Sequence, residues 1–109
     1  MDLELQGKVA VVTGGSKGIG RAIALGLAAE GARVVVVARD GGAIDKVVAE
    51  ARDRGSRDPV GISADLSQLT EIERVVSTTR RDCGRVDILV NNAGAIRGGA
   101  FLDLSLIHI

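Results

Sequence analysis

Four glycines fall within the twelve residues of VVTGGSKGIGRA, Val11 to Ala22. The segment follows a short apolar run and precedes a run with helical spacing, so it is expected to join a strand to a helix. Glycine adopts positive φ at little cost and lets a ligand approach the backbone without a Cβ in the way. A helix that begins near Gly18 presents unpaired N–H groups and a positive dipole end, which suit a phosphate. The segment therefore predicts a nucleotide or dinucleotide site.

The spacing of Gly14, Gly18 and Gly20 is G-x-x-x-G-x-G, which separates this loop from two other phosphate-binding loops. The dinucleotide fingerprint G-x-G-x-x-G does not align with it. A P-loop needs Lys-Ser/Thr after its last glycine, and this chain has Arg21-Ala22 there. Hydrolysis of a nucleoside triphosphate is therefore not expected, and a tight turn without a ligand is the remaining alternative.

Apolar segments on both sides of the loop predict alternating strands and helices. Four short runs with turn residues at their ends predict buried strands. They are Lys8–Gly15, Arg33–Arg39, Val60–Ser67, which is expected to end in a helix cap at Ser67, and Arg85–Gly94. Asp40-Gly41-Gly42 predicts a turn. Three apolar stripes predict helices: Ile19, Ala22, Ile23, Gly26 and Leu27; Ile44, Val47, Val48 and Ala51; and Leu69, Ile72, Val76, Thr79 and Cys83.

The resulting order, β-α-β-α-β-α-β, predicts an α/β fold. Strands that alternate with helices form a parallel sheet with helices on both faces. We expect an open, doubly wound parallel sheet. The glycine loop then lies at the carboxyl edge of the sheet, where open α/β folds bind ligands.

Composition excludes several classes of partner. The chain has 109 residues, which fits one domain, and its 14 basic and 14 acidic residues cancel. This balance gives no electrostatic reason to expect nucleic acid or a membrane surface as a partner. The start, MDLELQGK, has no signal-peptide pattern, and the single cysteine, Cys83, cannot form an internal disulfide. We expect a cytoplasmic, soluble protein, and the sequence indicates no metal site.

Two motifs together resemble the N-terminal half of the short-chain dehydrogenase/reductase family. They are TGGSKGIG, Thr13 to Gly20, and NNAG, Asn91 to Gly94, each following a predicted strand. ADLS, Ala64 to Ser67, is also typical of the family, and the resemblance extends from about Leu5 to Ser105. It implies the N-terminal half of a Rossmann-like, doubly wound parallel sheet, truncated so that the fourth strand is left as an exposed edge. It also implies a nicotinamide-dependent oxidoreductase acting on a small carbonyl or alcohol, and a homo-oligomer in the full-length form.

The resemblance also implies which residues contact the cofactor. The pyrophosphate and adenosine ribose would lie against the glycine loop, at Gly14, Gly15, Ser16, Lys17, Gly18, Ile19 and Gly20. Asp65 would accept a hydrogen bond from the adenine amino group, with Leu66 against the ring. Asn92, Ala93 and Gly94 would pass beside the nicotinamide ribose. Asn91 has two open roles, tying neighbouring strands or contacting the cofactor, and Thr13 is expected to brace the loop.

The end of the second strand bears on the choice between NAD(H) and NADP(H). An acid there binds a ribose 2′-hydroxyl and repels a 2′-phosphate. This chain has Ala38 and then Arg39 at that place, and Lys17 is a second cation in the glycine loop. Two cations can form charge-assisted hydrogen bonds with a phosphate. Asp40 argues for NAD(H), but we expect it beyond the strand. The sequence therefore favours NADP(H).

The family's catalytic Tyr-x-x-x-Lys is not found in these residues. The chain contains no tyrosine, and its three lysines, Lys8, Lys17 and Lys46, precede the fourth predicted strand. We therefore expect residues 1–105 to be a partial cofactor-binding domain, with residues 106–109 an atypical tail that could be foreign sequence. As written, the chain is expected to carry no catalytic residue and to be inactive alone. The alternative is a non-catalytic nucleotide-binding module that is complete.

Overall fold

Strands and helices alternate along the chain in the computed structural model, which describes residues 5–92 and the strand at 107–108. In chain order the elements are β1 (Val9–Thr13), α1 (Gly18–Ala29), β2 (Arg33–Ala38), α2 (Gly41–Arg54), β3 (Val60–Ser63), α3 (Leu69–Cys83), β4 (Ile88–Asn91) and β5 (Ile107–His108). The first seven follow the predicted order and confirm the α/β assignment.

The strands form one parallel sheet in the order β3-β2-β1-β4-β5. β1 is central, and its Val11 lies opposite Val35 of β2 and Leu89 of β4. The chain crosses from β3 past β1 to β4, so the order of the strands reverses at β1. In open α/β sheets such a reversal opens a crevice at the carboxyl ends of the strands.

The fifth strand was not expected. β5 pairs with β4 in parallel, with Ile88 opposite Ile107 and Leu89 opposite His108. The expectation that the fourth strand forms an exposed edge is therefore wrong for the first half of β4. Two residues give no periodicity of their own, so the strand can be recognised only from its pairing.

Alternate side chains of the central strands point into two apolar layers. α1 and α2 cover one face of the sheet, where they pack on Ala10, Val12, Val34, Val36, Ile88 and Val90. α3 covers the other face through Ile72, Val75 and Val76, against Val9, Val11, Val35, Val37 and Leu89. Burial on both faces explains why the strands read as continuous apolar runs.

α1 is rotated relative to the prediction, because only Ile23 and Leu27 of the five predicted inner residues pack, partly buried, against the core. Its buried residues are Gly20, Ala24, Leu25 and Ala28, whereas Ala22 and Gly26 are exposed. Ile19, the first residue of the predicted stripe, is 73% exposed. The sequence GIGRAIALGLAA is apolar on almost every side, so its spacing fits two faces equally well. The close approach of Gly20 to the preceding loop selects the face that the structure shows.

Two predicted helix starts also need correction. Asp40 does lie beyond β2, but Gly41 and Gly42 belong to α2, because the Asp40 side chain accepts the Ala43 N–H at 3.2 Å and caps the helix. An Asp at this position outweighs the low helix propensity of two glycines. The N-cap residue, immediately before α3, is Gln68 rather than the predicted Ser67. Among the described residues, no helix is long and apolar enough to cross a membrane.

Candidate dinucleotide-binding site

A cleft of about 340 Å³ opens at the carboxyl ends of β1, β2 and β3. Its walls come from the loop after β1, the end of β2 and the loop between β3 and α3. The residues that line it are Gly14, Ser16, Lys17, Val37, Ala38, Arg39, Asp40, Ala64, Asp65, Leu66 and Ser67. Six of the predicted site residues are in this set: Gly14, Ser16, Lys17, Arg39, Asp65 and Leu66.

The glycine loop is held close to the sheet. Gly14 has φ of +66° and its N–H donates to the Val37 carbonyl at 2.7 Å, which fastens the loop to β2. Gly18 has φ of +55°, and a Cβ built on it would meet nothing within 4 Å. L-residues rarely adopt this conformation, so both positions favour glycine. The open space beside Gly18 is at the start of α1, where the first N–H groups of the helix have no intrahelical acceptor.

Gly20 has a different role, because it has no free space around it. A Cβ on Gly20 would overlap the Gly14 carbonyl oxygen and would lie 2.6 Å from Nδ2 of Asn92. Gly15 is also buried, and its Cβ would lie 3.1 Å from the Val12 carbonyl oxygen. Neither glycine is among the residues that line the cleft. Gly20 lets the loop, α1 and Asn92 pack together, and Gly15 lets the loop lie against Val12 and Val36.

Asn92 and Thr13 connect the glycine loop to β4. The Asn92 backbone N–H donates to Oγ1 of Thr13 at 3.0 Å, and its Nδ2 donates to the Gly14 carbonyl at 3.3 Å. Oγ1 of Thr13 lies 3.3 Å from the Val90 carbonyl oxygen and 3.4 Å from Oδ1 of Asn91, and either oxygen can accept the hydrogen bond of the Thr13 hydroxyl. Thr13 thus braces the loop as predicted, and this contact favours the strand-tying role of Asn91.

Two exposed cations flank the cleft. Lys17 is the residue immediately before α1, and Arg39 follows the last residue of β2. Within the part of the chain that is described, neither side chain forms an ion pair with an acid. Asp40 also borders the cleft, but its carboxylate is engaged as the cap of α2. The two cations are therefore available to a ligand, whereas one oxygen of Asp40 is already occupied.

Asp65 projects from the loop after β3, and Ser67 fixes its orientation. The Ser67 hydroxyl and backbone N–H both donate to Oδ1 of Asp65, at 2.7 and 3.0 Å. The hydroxyl of Ser67, then its N–H, and the charge of Arg39 hold the pKa of the Asp65 carboxyl below its ordinary value. The carboxyl group is therefore ionised, and its Oδ2 accepts neither of the two hydrogen bonds from Ser67. The sequence interpretation missed this role of Ser67, although Asp-x-Ser is the pattern of such a turn.

The remaining predicted residues lie outside the lining. Ile19 and Gly18 are exposed in the first turn of α1, and Asn92 lies beyond the end of β4. Ala93 and Gly94 fall outside the described residues.

Cys83 is half-buried against the layer beneath α3, and burial raises the pKa of its thiol, which disfavours the thiolate. In residues 5–92, no group of three metal-ligating side chains comes together.

A ligand that carries an anionic group and an apolar ring would fit these features. Gly18 leaves open space at the start of α1, where an anionic group would fit, and Val37, Ala64 and Leu66 are among the apolar residues that line the cleft. Asp65 supplies an ionised carboxylate that can accept hydrogen bonds, and Lys17 and Arg39 supply two positive charges that can bind an anion. A site with this mixture of apolar lining and few polar groups suits a nucleoside better than a metal ion or a free anion.

Comparisons with known proteins point to one family. The sequence model of the family "short chain dehydrogenase" matches residues 8–108. A 3-oxoacyl-[acyl-carrier-protein] reductase of Synechocystis is 42% identical over 103 residues, which are 94% of this chain and 41% of that protein. The chain thus spans about two fifths of the length of this curated relative.

Solved structures give the same result. The L-sorbose reductase of Gluconobacter frateurii, complexed with NADPH and L-sorbose, superposes with a TM-score of 0.82 and 40% identity over 87% of this chain and 36% of that one. An NADH-dependent reductase complexed with NAD superposes with a TM-score of 0.77 and 33% identity, over 84% of this chain and 38% of that one. With the family match over nearly its whole length, the chain belongs to the short-chain dehydrogenase family of oxidoreductases.

Proposed function

We propose that this chain is the NADP(H)-binding part of an oxidoreductase that interconverts a carbonyl compound and a secondary alcohol. The observation that carries the proposal is the position of Lys17 and Arg39. Both cations line the same cleft as Asp65, and neither is paired with an acid among the described residues. A 2′-phosphate on the adenosine ribose supplies the dianion that such a pair would bind.

The parts of the cofactor are assigned to different walls of the cleft. The pyrophosphate lies against the loop from Gly14 to Ile19 and the start of α1, where N–H groups and the helix dipole favour negative charge. Oδ2 of Asp65 accepts a hydrogen bond from the adenine amino group, and Leu66 packs against the ring. The bound cofactor supplies the hydride for reduction. Asn92, Ala93 and Gly94 are proposed to border the nicotinamide ribose.

The relatives do not decide between the two cofactors, because one superposed structure is complexed with NADPH and the other with NAD. The preference is therefore argued from this chain. Ala38 ends β2 without a carboxylate that could bind a ribose 2′-hydroxyl or repel a phosphate. The next acid along the chain, Asp40, caps α2 through its side chain. Both features favour the phosphorylated cofactor.

Turnover requires a group that delivers a proton to the developing alkoxide. The 109 residues include no tyrosine, and every lysine precedes β4. We propose that residues 1–109 bind the cofactor without catalysing hydride transfer to a substrate. We further propose that the whole protein acts on a small carbonyl or alcohol as a homo-oligomer, with residues 1–105 forming part of its cofactor-binding domain.

Mapping the contacts of 2′,5′-ADP by NMR tests this assignment, since the chain of 11.2 kDa is small enough for backbone amide spectra. We expect the ligand to shift the amides of Lys17 and Gly18, Arg39 and Asp65. A second cleft at the opposite edge of the sheet, lined in part by Gly31 and Arg57, serves as an internal control and should not respond. Shifts confined to that second cleft, or no shifts, would contradict the proposal.

A further inference from the structure

An ion pair on α3 is bonded to the end of β3. Nε of Arg74 donates to Oε2 of Glu71 at 2.8 Å, and its Nη2 donates to Oε1 of the same carboxylate at 3.2 Å. Nη2 also donates to the backbone carbonyl of Ser63, the last residue of β3. The guanidinium thus joins the first turns of α3 to the strand that precedes the Asp65 loop.

Ser63 connects this ion pair with the second strand of the cleft. Its hydroxyl donates to the Arg39 carbonyl at 2.9 Å, and the N–H of the next residue, Ala64, donates to the Ala38 carbonyl at 2.8 Å. Arg74 holds the carbonyl of Ser63 while the Ser63 hydroxyl holds the backbone of Arg39. A single chain of hydrogen bonds therefore runs from the surface of α3 to the residue that carries one of the cleft's two cations.

The carboxylate of the pair also faces the Asp65 loop. The hydrogen bond from Arg74 is the largest cause of a lowered pKa of Glu71, the backbone N–H of Asp65 lowers it further, and the charge of the Asp65 carboxylate opposes the shift. Glu71 is thus ionised, and it lies beside the backbone of the residue assigned to the adenine amino group. Neither Glu71 nor Arg74 lines the cleft.

We propose that Glu71 and Arg74 are positioning residues, which fix the end of β3 so that Asp65 and Arg39 present their side chains to the adenosine end of the cofactor. This inference rests on the proposed NADP(H) site. An exposed ion pair contributes little to stability on its own. Here the pair acts instead through the backbone atoms of Ser63 and Asp65, which determine where two recognition groups lie.

A matched ion pair on the same helix provides the control. Nε of Arg81 donates to Oδ1 of Asp82 at 3.0 Å near the end of α3, remote from the cleft in the fold. Both Arg74 and Arg81 have exposed side chains. Arg81→Gln removes a surface ion pair from α3 as Arg74→Gln does, but it leaves the bonds to β3 intact.

The experiment is calorimetric titration of the full chain and its variants with NADP⁺ and with its hypoxanthine analogue, which lacks the adenine amino group. We expect Arg74→Gln to weaken NADP⁺ binding about tenfold, as for the loss of a charge-assisted hydrogen bond, and to reduce the preference for adenine over hypoxanthine. Arg81→Gln should change neither quantity. In an Asp65→Asn background, Arg74→Gln should have no further effect on the adenine preference.

The outcomes separate this inference from the proposed function. No binding of NADP⁺ by the unchanged chain would overturn both. Binding by the unchanged chain, with an adenine preference that Arg74→Gln leaves intact, would overturn only the positioning role, even if the variant unfolds at a lower temperature. Should Arg74→Gln fail to fold, Glu71→Ala gives the test, because it removes the carboxylate that holds the Arg74 guanidinium beside the Ser63 carbonyl.

Discussion

Gly20, in the first turn of α1, lies so close to the carbonyl oxygen of Gly14 that no side chain fits between them. The two residues belong to the same loop–helix junction, and their contact sets both the rotation of α1 and the position of the loop backbone. The Gly14 carbonyl also accepts a hydrogen bond from Nδ2 of Asn92 at 3.3 Å. The third glycine of the motif is therefore a packing residue, whereas Gly14 and Gly18 supply unusual torsions.

Gly20→Ala is expected to destabilise the chain by about 1–3 kcal/mol, the usual cost of overpacking a site that cannot expand. It should also weaken NADP⁺ binding, because the loop must move away from α1. Gly26→Ala is the matched control, since Gly26 lies in the same helix, is exposed and has nothing within 4 Å of an added Cβ. That substitution should stabilise the chain by about 0.5–1 kcal/mol. Urea unfolding measures both, and equal stability of the two variants would contradict the packing role of Gly20.

Arg39→Ala and Lys17→Ala are each expected to reduce NADP⁺ affinity about tenfold, because each removes a charge-assisted contact with the 2′-phosphate. NAD⁺ affinity should change little, since that cofactor has no phosphate there. Arg57→Ala, at the opposite edge of the sheet, is the control for loss of one exposed positive charge. Calorimetric titration gives the affinities. An equal loss for NADP⁺ and NAD⁺ would indicate that the cations contact the shared pyrophosphate instead.

The preference for NADP⁺ over NAD⁺ is expected to decrease as the pH falls from about 7.5 to about 5. A phosphate monoester loses one of its two negative charges near pH 6, which weakens its attraction to Lys17 and Arg39. The Asp65 contact is shared by both cofactors. Because the Asp65 pKa is lowered, its carboxylate stays ionised as the pH falls and protonates only below the ordinary aspartate range. A preference that stays constant over this range would argue against a 2′-phosphate between the two cations.

Asp87→Ala is expected to destabilise the fold by about 1–3 kcal/mol through loss of a buried acceptor. Oδ2 of Asp87 accepts the Val9 N–H at the start of β1 and Nε of Arg85, both at 2.8 Å. Asp82→Ala, which removes an exposed carboxylate, should cost less than about 1 kcal/mol. Thermal unfolding compares the two, and similar losses of stability would contradict the structural role of Asp87 in β1.

The sequence was most informative where a residue type has one physical use. Burial of β1 and β2 on both faces and the place of Arg39 just after β2 follow from composition and spacing. The sequence predicted the third strand as far as Ser67, whereas β3 ends at Ser63, so the position of Asp65 in a loop did not follow from spacing, and Asp65 was identified by the family resemblance. The inner face of α1 did not follow, because an almost wholly apolar helix has no unique stripe. Its rotation depends on Gly20, whose contact with Gly14 is a tertiary property.

Two other features depend on side-chain contacts that the spacing of the residues in the sequence does not predict. Glu-x-x-Arg occurs at 71 and 74 as on many solvent-exposed helices, and nothing in that spacing shows that a guanidinium reaches the Ser63 carbonyl. Ser67 has the right chemistry to cap a helix, but its bonds go back to Asp65. Local rules allow both roles for such a serine, and the length of the β3–α3 loop decides between them.

The ratio of the NADP⁺ and NAD⁺ dissociation constants, measured by calorimetry on the full chain in one buffer at pH 7.5, tests the central claim most directly. The two cofactors differ only in the 2′-phosphate, so the ratio isolates the contribution of that phosphate to binding. We expect NADP⁺ to bind at least about tenfold more tightly, equivalent to about 1.4 kcal/mol. Equal affinities, or tighter binding of NAD⁺, would contradict the assignment of this cleft to NADP(H).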